Sequence, residues 1–134
     1  MWCNDYIHIP FVEHGRTREG CDCWGLARVI YKEQLNIDLP LLLDYKNTKD
    51  SQSIADLYEI EHQDWVEIQK GDEKPFDILM FKILGLPTHV GIVIDEGLMI
   101  HCEYGIGTHI TEYDREFQWQ KRLAGIYRYG RNTR

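Results

Sequence analysis

The chain has 134 residues, of which 43% are hydrophobic, and its 22 acidic and 15 basic side chains give a formal net charge of −7. This length predicts one globular domain, residues 1–134, with a core large enough to fold without cross-links. The acidic balance and the absence of a long Lys/Arg cluster exclude a protein that binds phosphate backbones, so no nucleic acid partner is expected. No apolar run approaches the roughly 20 residues that cross a bilayer, and the N-terminus lacks the pattern of a secretory signal, so no membrane insertion is expected.

In chain order, the first predicted elements are a polar loop and a helix. Residues 13–22 are polar and contain two glycines, and the loop they predict ends at Asp22, a suitable N-cap. Apolar residues then recur at helical spacing over Cys23 to about Leu35, so Cys23 begins the helix. Residues 36–52 predict a loop, and the segment from Ser51 to about Glu61 predicts a second helix.

The second half predicts short strands that are rich in β-branched and aromatic residues. These strands are Trp65–Ile68, Ile78–Phe81, His89–Ile94, Leu98–His101 and Gly125–Tyr129. The turn signals between them lie at residues 70–72, 86–87, 95–97 and 105–107. Helices followed by consecutive antiparallel strands predict an α+β fold, with N-terminal helices packed on a sheet of about five to six strands.

Cys23 is the candidate nucleophile, because a thiol in the first turn of a helix feels the positive end of the helix dipole. Placement alone also suits a small buried hydrophobe. His89 opens one predicted strand and His101 closes the next, so pairing across the turn at 95–97 would bring them together. A cysteine with two such histidines matches the pattern of nucleophile, base and orienting group. On spacing alone, each histidine is equally compatible with a hydrogen-bonded residue at a strand end.

Three segments carry a recognisable pattern: Gly-Cys-Asp-Cys-Trp-Gly-Leu at 20–26, Thr-His-Val-Gly-Ile-Val at 88–93 and Met-Ile-His at 99–101. In this order they resemble the motifs of the NlpC/P60 cysteine peptidases, compact papain-like enzymes that cut cell-wall peptides. The resemblance covers nearly the whole chain. It implies a papain-like α+β fold with Cys23 as nucleophile, His89 as general base and acid, and His101 as the residue that orients His89. No cofactor and no metal are expected.

The resemblance also implies which groups lie around the reacting carbonyl. The backbone N–H of Cys23, at the helix start, is a natural donor to the oxyanion. The candidate contacts to oxyanion or substrate are Asp22, Trp24, Phe11 and His14. Many bacterial members carry a Tyr where this chain has Phe11, so a second oxyanion contact must come from elsewhere, such as Asp22 or a loop group. A further departure, Phe76-Asp77 in place of the common Gly-Asp, leaves the chemistry untouched.

The other thiols are interpreted as reduced bystanders, because four cysteines are too few for a disulfide framework. A zinc site made of Cys21, Cys23, His101 and Cys102 is disfavoured, since this is not a recurring zinc spacing. Cys102 should point away from His101 if both lie on one strand. The remaining histidines, among them His109, are typical of surface residues, and the tryptophans other than Trp24 are typical of core.

Within the family, the chain is most similar to small tail-associated proteins of phages and prophages. The similarity lies in the Gly-Cys-Asp-Cys sequence at 20–23 and in the basic and aromatic segment at 119–129. It implies an endopeptidase that hydrolyses peptidoglycan stem peptides, at the bond between D-glutamate and the diamino acid. The implied partners are tail-tip or baseplate proteins. The implied location is the virion tail, or the host cytoplasm before assembly, with action at the host cell wall or periplasm.

Three alternatives stay open at this stage. The chain is also compatible with an amidase of the related CHAP group, which uses the same Cys–His chemistry to detach the stem from the glycan. It is compatible with a structural tail-tip or assembly protein whose triad is vestigial. A thiol hydrolase or acyltransferase with a permuted papain-like site is disfavoured, because the cysteine precedes the histidines here. Peptidoglycan is itself rich in carboxylates, so the charge of −7 favours delivery by a larger assembly.

Overall fold

A computed structural model of the chain describes residues 1–39, 65–83 and 86–130. Two short strands, β1 (Arg16–Thr17) and β2 (Gly20–Cys21), form an antiparallel ribbon. Six further strands form one antiparallel sheet in the order β3-β8-β4-β5-β6-β7. Their bounds are β3 Trp65–Ile68, β4 Ile78–Ile83, β5 Leu86–Asp95, β6 Leu98–Glu103, β7 Gly107–Thr111 and β8 Leu123–Tyr129. The predicted α+β fold with about six strands is confirmed.

The helical part of the described chain is small. The main helix, α1 (Cys23–Ile30), continues as a π-helical turn over Tyr31–Leu35, which matches the predicted helix in both bounds. It ends at Asn36, whose φ of 57° is the left-handed conformation common after a helix. A 3₁₀ turn at Trp2–Tyr6 and a short helix α2 (Phe117–Gln120) were not predicted. In the described segments, no helix has the length and apolar character needed to cross a membrane.

The sheet is covered on both faces. On the first face, α1 packs against β5 and β6, and its Leu26 and Ile30 join a core with Ile92 and Ile100. The second face carries a smaller core, formed by the strand side chains that alternate with those of the first face and by Trp119 of α2. Its members are Leu79, Phe81, Val93, Met99, Tyr113, Trp119 and Ile126. Because both faces are buried, the central strands read as continuous apolar runs rather than as alternating ones.

The strand order differs from a simple meander. Strands β4 to β7 pair consecutively as predicted, but β8 returns to lie between β3 and β4. The predicted loop over residues 13–22 contains the β1–β2 ribbon. The turn expected at 86–87 is wrong, because Leu86 and Pro87 already pair with β4. The turn expected at 105–107 is cut short, since Gly107 begins β7. The predicted helix over 51–61 lies outside the described residues.

The N-terminal segment covers the outer edge of β7. The N–H of His8 donates to the carbonyl of Thr108 at 3.0 Å, and the N–H of Thr108 donates to the carbonyl of Ile9 at 2.9 Å. Gly107 lies close to the same segment, since a Cβ there would come within 2.9 Å of the Ile9 carbonyl oxygen. Two residues before α1 thus satisfy the outward-facing N–H and C=O of Thr108 at the sheet edge.

Phe76 has an unusual backbone conformation for a residue that carries a side chain. Its φ is 78°, in the left-handed region that glycine adopts without strain. For a residue with a Cβ, this conformation costs about 1–2 kcal/mol. The Phe76 ring stacks on Trp2 of the 3₁₀ turn, with centroids 4.6 Å apart, which offsets part of this cost.

A buried ion pair fixes β8 to the segment before β4. The side chain of Asp77 is fully buried, and the guanidinium of Arg128 donates to its two oxygens at 2.9 and 2.8 Å. The backbone N–H of Lys74 donates to the same carboxylate at 2.8 Å. A buried carboxylate is costly without such partners, so this contact stabilises the position of the last strand, which also pairs with β3 and β4.

We predict that Arg128→Met lowers the free energy of unfolding by about 3–5 kcal/mol, because it leaves the Asp77 carboxylate buried without its counter-charge. The matched control is Lys32→Met, which removes the exposed ion pair with Asp38 and should change stability by less than about 1 kcal/mol. Urea unfolding followed by circular dichroism measures both. Equal midpoints for the two variants would contradict the prediction.

Candidate active site

Asp22 fixes the start of α1. Its Oδ1 accepts the N–H of Gly25 at 2.8 Å, which confirms it as the N-cap. The N–H of His14 donates to Oδ2 at 3.1 Å, and the guanidinium of Arg16 donates to Oδ1 at 3.0 Å. The carboxylate is fully buried, so it ties the preceding loop and ribbon to the first turn of the helix that carries Cys23. Its side chain acts here as an acceptor and a structural anchor.

The two motif glycines allow close approaches that a larger residue would block. A Cβ on Gly25 would lie 1.9 Å from the carbonyl oxygen of Gly15, so only glycine lets this loop lie against the helix start. A Cβ on Gly91 would lie 2.5 Å from the Met99 sulfur and 3.6 Å from the Cβ of His101. Gly91 therefore makes room for the side chains that β6 places beside β5.

The Cys23 thiol is almost fully buried, with 4% of the residue exposed. Burial, and then the negative charge of Asp22, raises the pKa of Cys23 to about 12, while N–H groups of Val90 and Trp24 act in the opposite direction. The contact with Val90 places the sulfur against β5, at the residue that follows His89. The structure thus brings the two motifs together, although more than sixty residues separate them in the sequence.

The sheet opens at this point. Pairing between β5 and β6 ends at Ile92 and Ile100, so Val90 lies outside that ladder and its N–H is directed to the Cys23 sulfur. On the other side of β5, the register with β4 shifts between the Phe81–His89 and Lys82–Pro87 pairs. Bulges of this kind redirect side chains and are common beside active sites. The shift sets the orientation of His89.

His89, His101 and Thr111 form a chain of hydrogen bonds. Nε2 of His89 lies 2.8 Å from Nδ1 of His101, and Nε2 of His101 lies 2.8 Å from Oγ1 of Thr111. If the Thr111 hydroxyl accepts a hydrogen bond from the Nε2–H of His101, the Nδ1 of His101 accepts a hydrogen bond from the Nε2–H of His89. The Nδ1 of His89 then keeps its lone pair and can accept a proton from a thiol. The predicted meeting of His89 and His101 across the β5–β6 turn is therefore present in the structure.

Burial favours the neutral form of both histidines. It lowers the pKa of His89 to about 4, with smaller contributions from the positive charges of His109 and Arg122. It lowers the pKa of His101 to about 2, with the charges of His89 and His109 adding to the effect. Burial therefore makes an isolated thiolate or an isolated imidazolium costly at this position.

Trp119 packs on both histidines, which sequence reasoning did not anticipate. Its ring lies 5.3 Å from that of His89 and 4.9 Å from that of His101, centroid to centroid. The predicted core position is correct, with 3% of the residue exposed. The guanidinium of Arg122 lies 5.7 Å from the centre of the Trp119 ring, which brings a positive charge next to His89. Only the tertiary arrangement of α2 shows this second role for a core residue.

The remaining candidate contacts lie around the helix start. Phe11 forms a backbone bridge to Cys21 and packs edge-on against Tyr104, with ring centroids 5.4 Å apart. Trp24 is buried, with 8% of the residue exposed, and His14 adopts a left-handed φ of 60° in the loop before β1. Tyr104, an exposed residue after β6, has no local sequence signal that marks it as a neighbour of Phe11.

The four residues of the zinc alternative do not converge on one point. Cys21 and Cys102 lie in the core under α1, where the Cys102 thiol donates to the Cys21 carbonyl at 3.2 Å. His101 packs with Trp119 on the second face of the sheet. Cys102 thus points away from His101, as the alternation along a strand predicts.

Residues 8–128 match the NlpC/P60 family. The chain belongs to this family. This confirms the family resemblance seen in the motifs at Cys23, His89 and His101.

Two relatives and one solved structure illustrate the similarity to NlpC/P60 proteins. The chain is 23% identical over 118 residues to the murein DD-endopeptidase MepS/murein LD-carboxypeptidase of Escherichia coli K12, covering 88% of this chain and 54% of that protein. It is 30% identical over 115 residues to the gamma-DL-glutamyl hydrolase of Bacillus subtilis 168, covering 83% of this chain and 24% of that protein. The crystal structure of the NlpC/p60 domain of the peptidoglycan hydrolase SagA superposes with a TM-score of 0.64 at 21% identity, covering 94% and 92% of the two chains. The chain therefore spans about half the length of the E. coli relative.

We predict that iodoacetamide labels Cys23 faster than Cys3, Cys21 or Cys102 in the folded protein. Cys23 is the most exposed of the four buried thiols, and the histidine chain can take up its proton. Peptide mass spectrometry after short exposure measures each site.

Two controls belong to this labelling experiment. His89→Gln should slow labelling of Cys23 without accelerating the others, and unfolding in urea should make the four thiols similar. If Cys3 reacts as fast as Cys23 in the folded protein, or if His89→Gln has no effect, Cys23 is not activated.

Proposed function

We propose that this NlpC/P60 domain is a cysteine peptidase that hydrolyses the stem peptides of peptidoglycan, with Cys23 as nucleophile, His89 as base and His101 as the group that orients His89. The observation that carries the proposal is the 2.8 Å contact between His89 Nε2 and His101 Nδ1, beside Val90, whose N–H is directed to the Cys23 sulfur at the start of α1. This arrangement supplies a nucleophile, a proton acceptor and an orienting group in one place.

In the first half of the reaction, the thiol proton passes to Nδ1 of His89 and the sulfur attacks the peptide carbonyl carbon. A C–S bond forms, and negative charge develops on the carbonyl oxygen. The backbone N–H of Cys23, at the positive end of α1, is the donor proposed for that oxygen. As the C–N bond breaks, His89 returns the proton to the departing amine, and a thioester remains on Cys23.

In the second half, a water molecule attacks the thioester while His89 accepts its proton. The C–S bond breaks, the acyl group leaves as a carboxylic acid, and the sulfur regains a proton from His89. His101 stays neutral throughout, because its part is to hold the His89 ring by accepting the hydrogen bond from the Nε2–H of His89. Thr111 in turn provides the acceptor for His101.

The proposed scissile bond is that between D-glutamate and the diamino acid of the stem. The family resemblance implies this bond, and one relative is named as a gamma-DL-glutamyl hydrolase. The E. coli relative is named as a DD-endopeptidase and an LD-carboxypeptidase, so relatives act on more than one bond. Arg122 supports a substrate with carboxylates, because it places a positive charge beside His89 in a chain whose net charge is −7.

We predict that the purified protein releases stem-peptide fragments from sacculi and that Cys23→Ala releases none, because the proposed thioester forms on the Cys23 sulfur. The matched control is Cys3→Ala, which makes the same change at a buried thiol in the 3₁₀ turn and should retain activity. Release is followed by chromatography of the soluble products. Equal activity in Cys23→Ala and wild type would refute the mechanism.

The products distinguish the peptidase from the alternative CHAP-like amidase. Mass spectrometry should find fragments cut within the stem, with a new amino group on the diamino acid. Complete stems freed from the glycan would identify an amidase instead, while the requirement for Cys23 would stand.

We further propose that the domain acts as part of a phage tail, with tail-tip or baseplate proteins as partners, and that it reaches the host cell wall or periplasm with the virion. The support is the similarity of residues 20–23 and 119–129 to tail-associated proteins. The net charge of −7 adds to it, since a carboxylate-rich polymer would not attract the free domain.

We expect the chain to co-purify with intact phage particles and to localise to the tail by immunogold electron microscopy. Particles that carry Cys23→Ala should assemble but inject DNA poorly, because the wall stays uncut. Failure of Cys23→Ala particles to assemble would favour the structural alternative. Recovery of the chain only from the host soluble fraction would contradict the tail location.

A further inference from the structure

A second cluster of ligand-type side chains lies directly behind His101. His101 and Glu103 are two residues apart on β6, so their side chains leave the same face of the strand. His109 on β7 is the direct cross-strand partner of His101. Two rigid neighbouring strands therefore present two imidazoles and one carboxylate to the same space.

The three donor atoms are close enough for one metal ion. His101, Glu103 and His109 each offer one atom, and these atoms all lie within 4.8 Å of one another. Glu103 Oε1 lies 2.7 Å from His109 Nε2 and 3.9 Å from His101 Nε2. A tetrahedral zinc ion separates neighbouring ligand atoms by about 3.3 Å, which lies between these two distances. Two histidines and a carboxylate are an established zinc donor set.

Solvent can reach this cluster. The Glu103 and His109 side chains are 25% and 32% exposed, whereas that of His101 is fully buried. The cluster lies near the edge of the sheet, since β7 is the last strand. An ion could enter from the Glu103–His109 side, and a fourth position would remain for water. None of the thiols of the rejected zinc alternative takes part.

We propose that the side chains of His101, Glu103 and His109 bind a divalent metal ion, Zn²⁺. We propose further that the bound ion prevents His89 from acting as a base. The inhibitory part rests on the proposed peptidase function, whereas the binding part does not.

The inhibition follows from the two nitrogens of His101. A metal on Nε2 takes the lone pair of that atom, so the proton of the neutral ring must sit on Nδ1. Nδ1 then donates to Nε2 of His89 across the 2.8 Å contact, and the hydrogen bond runs in the opposite direction. The proton of neutral His89 moves to Nδ1, the nitrogen that would have accepted the proton of Cys23. The Thr111 hydroxyl, whose Oγ1 lies 2.8 Å from Nε2, gives up that contact when the metal binds.

Binding is tested in Cys23→Ala, which removes the competing thiolate of the active site. Calorimetric titration with Zn²⁺ should show one saturable site, and Cys23→Ala/His109→Gln should bind at least about tenfold more weakly. Glu103→Gln in the same background is the second variant, and circular dichroism checks that each protein is folded. Absence of saturable binding, or equal binding by the parent and both variants, would overturn the site.

Co²⁺ identifies the ligand type. Loaded into Cys23→Ala, it should give visible d–d bands without intense sulfur-to-cobalt charge transfer, because only nitrogen and oxygen ligands are proposed. A strong charge-transfer band would place the ion on the buried pair Cys21 and Cys102 and would also overturn the proposal.

The switch is tested with the full active protein. Zn²⁺ should slow both sacculus hydrolysis and iodoacetamide labelling of Cys23, and a chelator should restore both rates. The His109→Gln protein should need at least about tenfold more Zn²⁺ for the same fractional inhibition. Each protein is compared with its own metal-free rate. Equal inhibition of wild type and His109→Gln would place the ion on Cys23 and overturn the switch. Loss of hydrolysis without metal would refute the peptidase, while the calorimetric result would still decide the metal site.

Discussion

The buried carboxylate of Asp22 is the contact on which the rest of the site depends. It caps α1 through Gly25, accepts the N–H of His14 and pairs with Arg16, so the chain at residues 14–16 and the start of α1 meet at one charge. These contacts tie that part of the chain to the first turn of α1, which carries the Cys23 sulfur to which the Val90 N–H is directed. A capping residue that is ordinary by sequence therefore fixes the helix start that carries Cys23.

The candidate site includes residues from both faces of the sheet. Cys23 belongs to the core under α1, whereas His101 and Trp119 belong to the opposite face. Within the described residues, the β5–β6 ladder stops at Ile92 and Ile100, and the site begins beyond that point. An intact ladder would have used the N–H of Val90 for strand pairing, and it would have separated the thiol from the histidines.

The parts of the fold that depend on local sequence patterns could be predicted from the sequence. The parts that depend on contacts between residues distant in the chain could not. Cys23 as the first residue of a helix follows from Asp22 and the helical spacing of apolar residues, and the central strands follow from their composition. Nothing local places β8 between β3 and β4, because that position depends on pairing with two strands distant in sequence and on the ion pair of Arg128 with Asp77. The roles of Trp119 and His109 escaped for the same reason: each faces a histidine that is distant in sequence or lies on a neighbouring strand.

The backbone pairing of His8 and Ile9 with Thr108 has a consequence for how copies of this protein behave together. A sheet whose last strand is open offers unpaired N–H and C=O groups to any other sheet, and this is a common route to aggregation. Here the chain's own early residues pair with Thr108 at that edge. Where many copies are held at high local concentration, as in a repeating assembly, this pairing keeps the backbone of Thr108 from joining the sheet of a neighbouring copy.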